Sequence, residues 1–256
     1  MPINPAINNR PPPGRRPIPI HFAAVAANDA QRHTVEHFIH QQFARSYDAD
    51  IRQFMPTLLA QRNTCGQLSA VVGIRSAANE KLFLENYLDQ PVEHVITQRT
   101  GRTVTRNKVV EIGNLAVAHA GGAHWLIMAL SVFLYAAEYE WAVFTAVPRL
   151  LSTFRKLGLN PEPLAIADKS RITDADQQWG SYYANNPIAV SIHIRRGVAA
   201  LQAALLLEQF QHNTQQRYQS QQQLWNNAYA AGKSIETPPL QLALEEPYQT
   251  LHAGAL

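Results

Sequence analysis

Glu111 is the residue in this sequence that most needs a reason. It sits in the run VVEIGNLAV at 109–117, whose β-branched and apolar residues mark a central strand. An unpaired carboxylate in such a strand is expensive, so it must be paired, protonated or functional. Alternation sends Glu111 and Asn114 to opposite faces. Gly113 between them could mark a bulge that turns both toward one cleft. As a functional group, Glu111 would serve the cleft; as a strut, it would pair with an arginine such as Arg75. The strand runs into Ala118-His119-Ala120-Gly121-Gly122-Ala123, a glycine turn ahead of a helix. Backbone N–H groups at a helix start suit a phosphate or a polarised carbonyl oxygen, and glycine lets the main chain come close.

Two further constellations stand out. Arg75, Glu80, Glu85 and Tyr87, with Trp179, Tyr182 and Tyr183 beyond them, mix aromatic and charged types as a pocket rim does, or as the edge of a core does. His33-Thr34-Val35-Glu36-His37 fits the H-x-x-E-H pattern of one class of zinc peptidases, and His40 extends the stripe. On a helical wheel this stripe lies roughly 140° from that of Val35, Phe38, Ile39 and Phe43. The histidines therefore face away from the core, and no metal site is expected. The lone Cys65 rules out an intrachain disulfide and a cysteine-built zinc cage, and reads as a small buried residue.

The elements that would position these residues follow in order. Helical spacing covers 31–46, strands 54–61 and 67–76, and helical character returns at 80–88. Residues 99–108 are turn-like. After the 109–117 strand come a helix from Gly121-Gly122 to about Tyr139, a strand at 141–147, and a helix from Pro148 that stops at Gly158. Residues 164–167 and 189–195 are further strand candidates. This order argues an α/β (α+β) fold, a mixed sheet with helices on both faces.

Seven prolines fall in residues 1–20, including Pro11-Pro12-Pro13. Such a segment reads as a disordered, extended lead, and 21–27 is too short for the core of a secretory signal. Nine glutamines between Gln202 and Gln223 indicate a long polar helix, with a loose proline-containing end from 233. The expected division is lead 1–20, body 21–196 and tail 197–256, the tail dispensable for the fold of the body. Only 16% of the 256 residues are charged and the formal net charge is +3, which excludes the dense basic stripe of an electrostatic nucleic-acid binder. No Asp, Glu, Lys or Arg falls between Ile112 and Ala137. Its continuous apolar part, 125–137, is shorter than the ~20 residues of a membrane span and fits a helix buried on all sides.

FMPTLL (54–59), GIRSA (73–77), LFLENYLDQPVE (82–93), VVEIGNLAV (109–117), WAVFTA (141–146), LGLNPEPLAIAD (157–168) and WGSYY (179–183) together resemble the thermostable haemolysin family, in order and over more than half the chain. That family in turn resembles a branch of the GNAT acyltransferases, and the 109–117 strand resembles the E-x-x-R-x-x-V strand of acyl-homoserine-lactone synthases. Glu111 then takes the acidic position and Asn114 stands in place of arginine. Two departures accompany the likeness. Ala118 replaces the polar first residue of the superfamily's phosphate turn, and Phe154 stands where a tyrosine often reprotonates the leaving thiolate.

The resemblance implies a GNAT-like domain that moves an acyl group from a thioester to a small amine. Glu111 and Asn114 would be catalytic. Leu115, Val117, Gly121, Gly122 and Ala123 would hold the acyl-CoA or acyl-phosphopantetheine co-substrate, and Arg75, Glu85, Tyr87, Trp125 and Trp141 would contact the substrates. No tightly bound cofactor is expected. The partners would be acyl carrier protein or acyl-CoA and an amine acceptor, with a cytoplasmic location, no nucleic acid and little membrane contact. Ala118 shifts the expected donor toward a carrier-protein or bare pantetheine thioester. The rival readings are a membrane-active haemolysin, through 125–137 or the Gln-rich helix, and an acyl-binding module without chemistry.

Overall fold

The computed structural model describes residues 19–235, apart from 79, 120, 174–177 and 210–214. Seven strands form one mixed sheet: β1 (Pro19–Val25), β2 (Thr57–Asn63), β3 (Leu68–Ser76), β4 (Val109–Val117), β5 (Trp141–Ala146), β6 (Glu162–Ile166) and β7 (Ile188–His193). Their spatial order is β1-β2-β3-β4-β5-β7-β6. All neighbours run antiparallel except β4 and β5. The helices are α1 (Arg32–Tyr47), α2 (Val92–Thr100), α3 (Gly122–Ala136), α4 (Pro148–Lys156), α5 (Ile194–Gln209) and α6 (Gln215–Lys233).

The period-two rule divides the strands between two faces. Leu58, Ala60 and Val71 pack against Val35, Ile39 and Phe43 of α1. Their neighbours Leu59, Val72 and Ile74 turn the other way, into the main core with α3. Near β5 and β6, the α1 side is covered by α2 and the turn at 83–87, around Leu84, Ile96 and Trp141. Helices thus cover both faces. Helix α3 is buried along most of its length, from Leu126 to Ala136, inside the protein core. Among the described residues no helix is long and apolar enough to cross a membrane.

Four expectations change. Pro19 and Ile20, placed in the lead, open β1, an edge strand whose first position tolerates proline; residues 1–18 lie outside the described residues. No element was expected between Leu88 and Arg99, yet α2 lies there, anchored by Val92 and Ile96 one helical turn apart and ended by Gly101 at φ 67°. Residues 80–88 form only a 3₁₀ turn, Phe83–Tyr87, because the Glu85 carboxylate folds back onto the N–H groups of Leu82 and Val92. Cys65 is exposed in the β2–β3 turn rather than buried.

The polar tail is two helices, and its packing continues the core. Val198 and Leu201 of α5 and Leu224 and Ala228 of α6 belong to the main hydrophobic cluster. Helix α6 lies against α3 so closely that a Cβ on Gly232 would strike the Phe133 carbonyl oxygen. Asn227 Nδ2 donates to the Ile20 carbonyl at 2.5 Å. The core therefore does not end at Arg196, and α6 spreads on α3 and β1 rather than offering a free apolar face.

Candidate functional site

Strands β4 and β5 are paired only from Val109–Trp141 to Ile112–Phe144. Beyond that point β4 keeps β3 as its partner while β5 follows β7, so the two parallel strands part. The parting begins at a β-bulge. Gly113 faces Gly73 and Ala116 faces Val71, which leaves Asn114 and Leu115 opposite Val72 alone. Asn114 takes φ 50°, a left-handed conformation in which asparagine is among the better-tolerated residues. Ala118 donates its N–H to Ser69 on the β3 side. Alternation from there turns the N–H of Val117 away from β3, toward the gap.

A cavity of about 590 Å³ fills that gap. It runs from the start of α3 (Gly121, Ala123, His124), along β4 from Glu111 to Val117, to α4 (Arg149, Thr153, Phe154) and the aromatic residues at 179–183. The bulge brings Glu111 and Asn114 into the same cavity, as the spacing around Gly113 suggested. Among the described residues Glu111 is the one acidic side chain in the lining, set against four arginines, Arg45, Arg52, Arg75 and Arg149.

The Glu111 carboxylate is buried at 3% exposure. Its Oε1 accepts the N–H of Leu84 at 2.7 Å and its Oε2 that of Phe83 at 2.9 Å. Arg75 Nη1 stands 3.9 Å from Oε2. Burial pushes the carboxyl up to about 7, more than the two N–H groups and Arg75 pull it down. A carboxyl poised there can exchange a proton near neutral pH.

Asn114 is tied differently. Its Oδ1 accepts the Met55 N–H at 2.8 Å and its Nδ2 donates to the Gln53 carbonyl at 3.4 Å. The side chain pins the 53–55 loop across the bulge, where Met55 packs over Gly73 and Gly113.

On the other wall, Phe43, Tyr47, Phe83, Tyr87, Trp179, Tyr182 and Tyr183 meet edge to face or tilted in one aromatic cluster. Tyr87 and Tyr183 share a hydroxyl contact of 2.5 Å, and burial pushes the Tyr87 hydroxyl well above the ordinary tyrosine range. Gly180, at φ 48°, lets Ser181 approach α1, and both the N–H and Oγ of Ser181 donate to the Tyr47 carbonyl, at 2.8 and 3.1 Å. A Cβ at residue 180 would collide with that carbonyl. The indole Nε1 of Trp179 is buried in this wall with no hydrogen-bond partner among the described residues.

Of the catalytic and binding residues that the resemblance implied, Glu111, Asn114, Leu115, Val117, Gly121, Ala123, Arg75 and Tyr87 line this cavity, as do Trp179, Tyr182 and Tyr183 of the aromatic constellation. Glu85, Trp141, Trp125 and Gly122 do not. Glu85 is a structural node: its carboxylate accepts two N–H groups of Arg106 at 2.7 and 3.0 Å besides the backbone of Leu82 and Val92. Burial pushes its carboxyl up, but Arg106 and the two backbone donors outweigh that and hold it below the ordinary value. Trp141 packs in the cluster around α2, at the opposite end of β5. Trp125 packs against the main core beside His124 rather than walling the cavity. Gly122 spends its N–H on the His119 carbonyl at 3.1 Å.

Sequence reasoning missed Tyr47, Met55, Arg149 and His124, because loops and helix starts far apart in the chain bring them together. The metal-like stripe lies along the outer side of α1. His33 and His37 are exposed, Glu36 pairs with Arg32 at 2.6 Å, and His40 contacts the Ile51 carbonyl. Among the described residues no group of three metal-ligating side chains forms.

The family model described as thermostable hemolysin matches residues 25–198. Among solved structures, FeeM, an N-acyl amino acid synthase from uncultured soil microbes, has a TM-score of 0.50 at 14% identity, over 73% of this chain and 98% of that one. BjaI, a CoA-dependent acyl-homoserine lactone synthase solved with MTA, has a TM-score of 0.50 at 14% identity, over 72% and 88%. At such identity the likeness establishes the fold alone. Comparison with curated proteins by sequence finds no match.

Proposed function

We propose that this chain, which belongs to the thermostable hemolysin family, is an N-acyltransferase that moves an acyl group from a thioester to a small amine. The observation that carries the reading is the parting of β4 from β5 into a cavity lined by Glu111 and by Leu115 to Val117 with their backbone N–H groups. In this reading the thioester carbonyl lies against those N–H groups, which stabilise the negative charge that develops on its oxygen. The amine nitrogen attacks the carbonyl carbon, the C–S bond breaks and the thiolate leaves. Glu111, directly or through a water, takes the proton from the attacking nitrogen.

The donor's pantetheine arm would run past Gly121 and Ala123 at the N-terminal end of α3, where the helix offers N–H groups and a positive dipole end to a phosphate. The lining's excess of arginine over acid suits an anionic donor. Phe154 is stacked on Phe144, with ring centroids 4.8 Å apart, and has no proton for the leaving thiolate. In this reading the thiolate departs unaided or is protonated from water.

Intact-mass spectrometry of products tests the proposal, with acyl-CoA and acyl-carrier-protein donors and a panel of amines. N-acylated product made by the natural protein and lost in Glu111→Gln is the expected result. No product from any donor, or undiminished turnover in the variant, overturns it. The membrane-active alternative finds no support in the packing, since α3 is buried and α6 is docked on it.

A further inference from the structure

At the far end of β5 from the acyl cavity lies a second pocket of about 200 Å³. Five elements converge there. Arg99 comes from the last turn of α2 and Arg102 from just beyond it, Trp141 opens β5, Glu162 opens β6, His193 closes β7 and Arg196 lies in the first turn of α5. Three guanidinium groups thus surround a hollow with one carboxylate in its lining. Arg99 is partly engaged, donating to the Leu164 carbonyl at 2.9 Å. Among the described residues neither Arg102 nor Arg196 has an ion-pair partner.

His193 forms the wall between them. Its ring stands edge to face on Trp141, with centroids 4.9 Å apart, and its Nδ1 lies 3.5 Å from the N–H of Arg196. That contact leaves Nε2 to carry the proton as a donor. Burial first, then Arg196 and Arg102, hold the imidazole below its ordinary range, against an opposing pull from Glu140. The pocket therefore gathers like charges and hydrogen-bond donors with few acceptors. A compact group with several anionic oxygens would satisfy both, and guanidinium forks match phosphate oxygens in pairs.

We propose that this pocket is an anion-binding site, separate from the acyl cavity, in which Arg99, Arg102 and Arg196 grip a phosphate monoester around His193. The volume admits one phosphate group with a short organic stub. That phosphate could arrive on a soluble metabolite or on a lipid headgroup, and the chemistry of recognition is the same.

The test uses the full chain and follows the His193 ring resonances by NMR during titration with inorganic phosphate, against sodium chloride of equal ionic strength. A saturable shift with phosphate, absent with chloride, is expected, together with a rise in the pH at which His193 titrates. Arg102→Gln combined with Arg196→Gln should weaken phosphate binding by roughly tenfold or more. Glu162→Gln, at an exposed position on the edge strand, should tighten it several-fold. Vesicles of phosphatidylcholine with and without phosphatidic acid separate the sources. Phosphate-competed binding to the phosphatidic acid vesicles assigns the site to a lipid headgroup, and a response to soluble phosphate alone assigns it to a metabolite. The same response to chloride as to phosphate, or an affinity unmoved by either set of substitutions, overturns the proposal. Should the double variant fail to fold, Glu162→Gln alone decides it.

Discussion

Arg75 and Glu111 are direct cross-strand partners on β3 and β4, yet the guanidinium stops 3.9 Å short of the carboxylate. Arg75 turns its Nε to Glu80 at 3.3 Å instead, and two backbone N–H groups take the carboxylate oxygens. From sequence, Glu111 is either a functional group or a strut. The structure gives it partial compensation of both kinds, two hydrogen bonds and a distant cation, which is less than full burial demands. A fully paired carboxylate would be locked in its charged form; this one is left able to take up a proton.

The first prediction follows from that balance. If Glu111 is the base, kcat/KM for acyl transfer should rise with pH and level off above an apparent value of about 7. Glu111→Gln should cost roughly 10²- to 10⁴-fold and remove that limb. The effect on stability has the opposite sign. A carboxyl whose folded value is raised binds its proton more tightly when folded, so its contribution falls as pH climbs from the unfolded range near 4.5 to about 7 and is level beyond. Denaturant titrations across that window check the sign, and a rate profile flat through neutral pH counts against the base.

Asn114 should behave as a strut for the 53–55 loop. Asn114→Ala loses the hydrogen bond to the Met55 N–H and places an ordinary Cβ at φ 50°, at a combined cost of about 2 kcal/mol. Asn114→Gly loses the bond but keeps the backbone comfortable, and should cost about half as much. Urea midpoints rank the two. Equal losses would mean that the left-handed backbone is not strained there.

Much of this site was legible because chemistry and backbone need coincide along one strand. Glu111 is conspicuous among apolar neighbours, and Gly113 announced the bulge that the chain places at Asn114 and Leu115. The far wall was harder to read. Trp179, Tyr182 and Tyr183 stood out as aromatics, but their meeting with Tyr47 depends on Gly180 touching the end of α1, a contact between residues more than a hundred apart in sequence. Trp141 and Glu85 misled for a related reason. An aromatic in a strand and an acid in a turn look the same whether they face a cavity or the core beside it, and only the strand's partners decide which. The short α2 was missed because its buried face rests on two residues, Val92 and Ile96, too few to carry a periodic signal.

The third prediction concerns the last two helices. Composition alone suggested that the chain could end at Arg196. With Leu224 and Ala228 fully buried against α3, truncation there should expose that core surface and give an insoluble or molten product. Leu224→Ala in the full chain should cost about 2–5 kcal/mol by leaving a cavity. A truncated protein that melts cooperatively at an unchanged temperature would show that α6 is an accessory.

The last prediction separates the donors. The phosphate turn offers less than its glycines suggest, because Ala118 gives its N–H to Ser69 and Gly122 gives its own to His119. The remaining N–H groups at the start of α3 suit one phosphate, whereas the diphosphate of coenzyme A asks for more. Transfer should therefore favour a carrier-protein or bare pantetheine thioester. Ala118 is exposed and lines the cavity, so a long cationic side chain fits there without disturbing the core. Ala118→Arg adds a hydrogen bond to a charged group, about 1.5–3 kcal/mol, and should tighten coenzyme A by roughly ten- to a hundredfold while carrier-protein donors change little. Competition binding with the two donor types reads this directly. Equal gains for both, or tight coenzyme A binding by the unaltered protein, would mean that Arg45, Arg52 and Arg149 already supply the grip and the turn does not choose between donors.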